Sequence, residues 1–301
     1  MGLLLLFNGA AMIFSAIVSA IYKDGVTQGI TFAALLTLGI GGLVMFLTKN
    51  HQKEVKKREG YLIVTMGWLI VTASGTMPYL VTGAIPSVTN IFFETISGYT
   101  TTGASILNDV ESLPQGLLFW RSTTHWLGGM GIIVLAIAIL PLLGIGGMQL
   151  FSAEAPGISG DKIHPRISDT SKRLWFIYVG YTVAETLLLS VAGMSLFDAI
   201  NHAMSTVSTG GFSTKNDSLT FWNDVPAIQY IVILFMFLGG TNFVLSYFVF
   251  KGKIQKALQD EEFKWYATFL GIFLLIVVGV LLSNGSIAQS QQFPQDRKSV
   301  V

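Results

Sequence analysis

The chain has 301 residues, of which 51% are hydrophobic and 12% charged; soluble domains run at roughly twice that charged share, so a water-facing globule is excluded and lipid is the expected surrounding. Its 18 Lys and Arg nearly balance 17 Asp and Glu, and the net charge of +1 offers no field to draw nucleic acid or an acidic soluble partner. With no cysteine, disulfides, thiolate metal sites and cysteine nucleophiles are excluded together.

A helix needs about 20 mostly apolar residues to cross roughly 30 Å of hydrocarbon. Seven stretches qualify: residues 2–22, 29–48, 61–82, 117–143, 174–193, 226–250 and 265–282. The first lacks a basic n-region and a small-residue cleavage site, so it is expected to be a retained span rather than a signal peptide. Basic residues then fix the orientation. Lys49, Lys53, Lys56, Lys57 and Arg58 lie between spans two and three; Lys162, Arg166, Lys172 and Arg173 between four and five; Lys251, Lys253, Lys256 and Lys264 between six and seven. Thirteen of the 18 therefore fall in alternate loops, which the positive-inside rule makes cytoplasmic, and the N-terminus with them. The basic loop 49–58 could also touch anionic lipid.

Two outer loops each contain an apolar segment too short to span, residues 87–97 and 195–205. Half a crossing that leaves the helix at membrane depth is tolerated only where the backbone is buried in protein or lines a water-filled cavity. Both are therefore expected to be re-entrant half-helices, against the alternative of amphipathic helices lying on the surface. An internal repeat favours the first. At an offset of 108 residues, Ser97 pairs with Ser205, Thr101 with Thr209, Gly103 with Gly211 and Ser105 with Ser213, and the order span, half-helix, Thr/Gly segment, span recurs around them. Repeated units arranged about an axis enclose something.

The runs Thr100-Thr101-Thr102-Gly103 and Ser208-Thr209-Gly210-Gly211 bury little, but their backbone carbonyls can replace the hydration shell of a permeating cation without a formal charge to trap it. Glycine at Gly103, Gly210 and Gly211 would permit the conformations this requires. The half-helices aim their negative dipole ends toward these segments, which favours a cation over an anion.

The runs at 98–103 (Gly-Tyr-Thr-Thr-Thr-Gly) and 208–213 (Ser-Thr-Gly-Gly-Phe-Ser), with His125-Trp-Leu-Gly-Gly-Met-Gly-Ile-Ile-Val134 and Leu140-Pro-Leu-Leu-Gly-Ile-Gly-Gly-Met-Gln149, closely resemble the Trk-type potassium uptake family of the TrkH/KtrB/HKT superfamily. The resemblance covers nearly the whole chain and includes two leading spans. It implies an all-α integral membrane fold of potassium-channel-like units, each a span, pore half-helix, filter strand and span, preceded by two extra transmembrane helices. It further implies potassium as the permeant ion in a bacterial inner membrane, whether moved passively or by coupled transport, and a homodimer when full length. The expected partner is a cytoplasmic nucleotide-binding regulatory ring of the TrkA type. Family filter positions fall on Thr101, Thr102, Thr209 and Gly210, with Thr100, Gly103, Ser208 and Gly211 beside them, and Gly103 is similar to the potassium-selective form rather than the sodium-preferring Ser form.

The family has four such units; two are complete here, which supply half of a coordination ring, so no transport is expected of these residues alone. The expected division is 1–60 leading helices and basic loop, 61–150 first pore unit, 151–173 cytoplasmic connector, 174–260 second pore unit, 261–283 first helix of a third unit, and 284–301 a tail. The ending Asp296–Val301 back-translates to a sequence resembling a common sequencing adapter, so a truncated fragment with an artefactual tail is expected.

Charged groups at membrane depth are functional candidates by default. Glu94, Asp198 and His202 fall on the half-helices, where Asp198 is weighed as a helix cap. Glu185 is expected to pair with another helix or line a polar cavity, and Arg121 and His125 to anchor span four at the outer interface. Gly157-Ile-Ser-Gly160 resembles an intramembrane serine protease motif, but Ser159 lies in a polar loop without a placed histidine partner, so no enzyme is expected. The segment 144–173 is better suited to bind another protein. The rival from a different class is a membrane scaffold or regulatory subunit with no pathway of its own.

Overall fold

A computed structural model describes residues 1–49, 57–131 and 167–283; the tail, the latter part of span four, the protease-like motif and the segment 144–166 lie outside the described residues. Among the described residues regular structure is helical throughout. The elements are α1 (Gly2–Tyr22), α2 (Thr27–Thr48), α3 (Lys57–Gly75), α4 (Met77–Thr82), α5 (Val88–Tyr99), α6 (Gln115–Gly129), α7 (Ile167–Val191), α8 (Leu196–Val207), a 3-10 turn (Ser218–Trp222), α9 (Pro226–Gly240), α10 (Phe243–Phe250), α11 (Ile254–Leu258) and α12 (Glu261–Ser283). Among the described residues five helical stretches are long and apolar enough to cross a membrane: Gly2–Tyr22, Thr27–Thr48, Leu62–Thr82, Lys172–Val191 and Glu261–Ser283.

Span six is not one helix. The apolar window 226–250 divides into α9 and α10 around Thr241 and Asn242, so hydropathy alone overstated its continuity. Thr241 takes extended angles (φ −84°, ψ 153°), and the preceding Gly239-Gly240 pair is the kind of sequence at which helices break. Span three, by contrast, runs on through Thr76, which keeps helical angles (φ −72°, ψ −21°), into α4, whose first turn carries Pro78. Proline is at home there because a first-turn N–H needs no partner within the helix.

The chain forms two compact units, Met1–Phe243 and Val244–Val301. In the first, α1 and α2 pack by small residues: a Cβ on Gly9 would come within 2.7 Å of Leu38, and one on Gly41 within 3.0 Å of the Gly2 oxygen. In lipid, where apolar surface gains nothing by association, such close backbone approach supplies the packing energy. Met12, Ile30, Val71, Tyr79, Tyr99 and Trp120 form the buried core around the first pore loop. Leu189, Ile228 and Val232 form another behind the second, and Tyr178, Val207 and Phe235 a third beside it. Helix α6 packs on α1, α5 and α8, and so stands between the two pore loops. The second unit contains α11 and the apolar helix α12, whose residues are unburied.

Candidate ion pathway

Each half-helix is set by a serine at its N-terminus. The Ser87 hydroxyl accepts from the Asn90 amide at 3.5 Å, and the Ser195 hydroxyl from the Asp198 amide at 3.1 Å. Asp198 is therefore not the cap itself. It sits one turn in and accepts from the Ser195 hydroxyl at 2.7 Å, which orients that cap, while its other oxygen accepts from Thr214 at 2.6 Å and ties the helix start to the segment beyond the filter.

At the other end the two loops repeat one backbone conformation. Thr101 and Gly103 have φ of 53° and 74°; their counterparts Thr209 and Gly211 have 57° and 89°. Thr100 and Ser208, preceding them, have φ of −83° and −78°. Alternation of hand turns successive peptides the same way, so N–H groups collect on one side and carbonyls on the other. The expected filter strands are thus not β-strands, in which successive carbonyls would point to opposite sides.

The N–H side faces the half-helix. Thr101 and Thr102 donate to Gly98 and Ser97 at 3.0 Å each, and Thr209 and Gly210 donate to Thr206 and Ser205 at 2.8 Å each. These bonds also satisfy carbonyls that every helix C-terminus leaves without partners. Among the described residues the carbonyls of Thr100 to Gly103 and of Thr209 to Gly211 accept no hydrogen bond, while the Ser208 carbonyl takes the Thr209 hydroxyl. Thr100, Thr102, Thr209 and Gly211 are exposed. The filters are adjacent: a Cβ on Gly103 would stand 1.9 Å from the Gly210 carbonyl oxygen.

The outgoing helices seat against matched points. Gly128 of α6 would place a Cβ 2.2 Å from the Tyr99 oxygen, and Gly239 of α9 one 2.8 Å from the Val207 oxygen; Tyr99 and Val207 are repeat partners at the offset of 108. Behind the first filter, the Tyr99 hydroxyl donates to the Asn8 side-chain oxygen Oδ1, and Asn8 Nδ2 donates to the Ser74 hydroxyl at 2.7 Å. The leading helix α1 thereby supports the pore loop directly.

Arg121 and His125 are not interfacial anchors. They are 3% and 0% exposed, because their helix lies between the loops. Arg121 Nε donates to Glu94 at 2.6 Å and Nη1 to the Ser213 carbonyl at 3.0 Å, with its guanidinium 3.5 Å above the Phe212 ring. His125 stacks on Phe212 at 3.8 Å, and its Nδ1 lies 2.9 Å from the Ser205 hydroxyl. The signal available in the sequence was the stripe Arg121, Thr124, His125, Gly128, spaced as one helix face. The repeat also explains Glu94 and His202, which are counterparts. Glu94 accepts from the Ser105 hydroxyl at 3.1 and 3.2 Å, and His202 Nε2 meets the equivalent Ser213 hydroxyl at 3.0 Å. His202 Nδ1 lies 2.8 Å from the Asp198 carbonyl, which can only accept, so Nδ1 carries a proton. Glu185 is buried in α7 beside the Thr206 side chain of α8, and its oxygens reach no partner at full hydrogen-bond geometry among the described residues. No group of acidic and histidine side chains suited to hold a metal occurs among the described residues.

Residues 26–285 match the family model TrkH, a cation transport protein. The Trk system potassium uptake protein TrkH of Salmonella typhimurium is 42% identical over 280 residues, 92% of this chain and 57% of that protein. Its Escherichia coli K12 counterpart is 41% identical over 285 residues, 93% and 58%. The crystal structure of the potassium transporter TrkH from Vibrio parahaemolyticus superposes with a TM-score of 0.80 at 37% identity, over 95% of this chain and 58% of that one. The chain thus spans somewhat over half the length of these relatives. With the repeated loop geometry and a family match over most of its residues, the chain belongs to the TrkH family of cation transport proteins, membrane proteins rather than an enzyme family.

Proposed function

We propose that these residues form one side of a potassium uptake pathway in the pore-forming subunit of a Trk-type system. The observation that carries the proposal is the paired backbone: two filter segments, 108 residues apart, with the same alternation of hand and the same N–H bonding into their half-helices. Carbonyls of Thr100, Thr101, Thr102 and Gly103, and of Ser208, Thr209, Gly210 and Gly211, coordinate the ion in place of water. The half-helix C-termini add their negative ends behind those carbonyls. Membership of the family and the names of the relatives support potassium as the ion. The basic loops support a cytoplasmic N-terminus in a bacterial inner membrane. A cytoplasmic nucleotide-binding ring and a homodimer are the partners that the resemblance supplies.

The test is growth and potassium uptake of a transport-deficient bacterium carrying a chimera in which residues 1–285 of this chain replace the matching part of the Escherichia coli relative. Growth at low potassium is the expected result. A chimera present in the membrane that gives no uptake would refute the pathway and favour a scaffold.

A further inference from the structure

The filter segments carry no formal charge, and the ion they would hold meets only main-chain and hydroxyl oxygens. Apart from the backbone contact of Gly103 with Gly210, the groups that tie the two segments together lie outside them. In the outer loops, Asn216 clasps the first loop through Val110 at 2.7 Å and Asp109 at 2.8 Å, with Lys215 3.6 Å from Glu111. These groups face solvent and hold weakly. The buried link is different in kind. Glu94, on the first half-helix, gathers the Ser105 hydroxyl, the Ile106 amide at 2.9 Å and Arg121 Nε at 2.6 Å. Arg121 in turn reaches the Ser213 carbonyl and lies over Phe212, just beyond the second filter. Its side chain is 4% exposed and that of Glu94 0%. One guanidinium therefore fastens the outer end of both filters, with the fixed fork that only Arg offers.

We propose that Glu94 and Arg121 are positioning residues that hold the two filters at a fixed spacing, and that this brace sets how sharply the pathway separates potassium from the smaller sodium ion. The inference rests on the potassium-pathway proposal above. Carbonyls that can close in on a smaller ion lose discrimination; carbonyls tied from behind cannot follow it. The brace occurs in one loop only. At the position equivalent to Glu94 the second loop has His202, which holds Ser213 by its hydroxyl, so Ser213 is fastened by its own loop and by Arg121 of the other unit.

The chimera described above is tested as Arg121→Lys and as Ser105→Ala, measuring potassium uptake, sodium competition and membrane abundance. Lysine keeps the charge but cannot span Glu94 and the Ser213 carbonyl together. The expected result is a discrimination between potassium and sodium reduced about tenfold, the scale of one lost charge-assisted hydrogen bond. For Ser105→Ala, which leaves the ion pair and the Ile106 contact in place, a smaller loss in the same direction is expected, and this variant decides the matter if Arg121→Lys does not reach the membrane. A ratio unchanged in the variants that reach the membrane, with both ions falling in proportion, would overturn the brace and leave a purely structural ion pair. No potassium uptake by the unsubstituted chimera would instead overturn the pathway on which it rests.

Discussion

Gly103 and Gly211 occupy equivalent places in the two loops, yet alanine is expected to cost far more at the first. Both have positive φ, 74° and 89°, so either substitution incurs the left-handed penalty of about 1–2 kcal/mol. A Cβ at Gly211 meets nothing within 4 Å, whereas one at Gly103 would lie 1.9 Å from the Gly210 oxygen and 3.0 Å from its carbon. That obstacle is backbone, and Gly210 is itself hemmed in by His125, whose Nδ1 would lie 2.3 Å from any Cβ there. Overpacking of this kind adds about 1–3 kcal/mol. At 1.4 kcal/mol per decade, Gly211→Ala should lower potassium uptake about tenfold, and Gly103→Ala by a further factor of about ten to a hundred. Initial uptake rates in the chimera, normalised to protein in the membrane, read both. Equal losses, or a greater loss at Gly211, would show that the filters do not approach each other as described.

The buried hydroxyl of Tyr99 makes a second case. Asn8→Ala should lower stability in detergent by about 1–3 kcal/mol, while Tyr99→Phe combined with it should be milder than the sum, since removing both partners leaves fewer polar groups unpaired; additive shifts in Tm would refute the coupling. Alanine at Gly128 and Gly239 gains about 1 kcal/mol of helix propensity against the clashes with Tyr99 and Val207. Since those approaches are 2.2 and 2.8 Å to backbone oxygens, both variants should be net destabilised, Gly128→Ala more than Gly239→Ala, read as Tm differences between the two purified variants. The reverse order would count against the seating of α6 under the first loop.

How much could be read from the residues follows the range of each interaction. The half-helices were legible because a short, largely apolar segment of about eleven residues is a local signal, and the repeat made each support the other; the cap read as Asp198 is Ser195 instead. The observed ends, Val88–Tyr99 and Leu196–Val207, lie within two residues of the expected ones. The positive φ of Thr101 and Thr209 was not legible, since threonine disfavours that conformation; it is imposed by bonds to the half-helix C-terminus. Arg121 and His125 were misplaced because a hydropathy window reports depth along a helix and says nothing of which neighbour its face meets. The break within span six was available in Gly239-Gly240-Thr241-Asn242, but an averaged apolar window conceals a short polar interruption.

The counterparts Glu94 and His202 have a consequence for divergence. A ring of identical subunits must accept every substitution in all of its copies at once. Here the loops are consecutive stretches of one polypeptide, so an acid can be fixed behind one filter and an imidazole behind the other without compromise between them. Each loop can drift on its own while its partner holds the ion-facing backbone constant, and the pathway can become asymmetric by single steps.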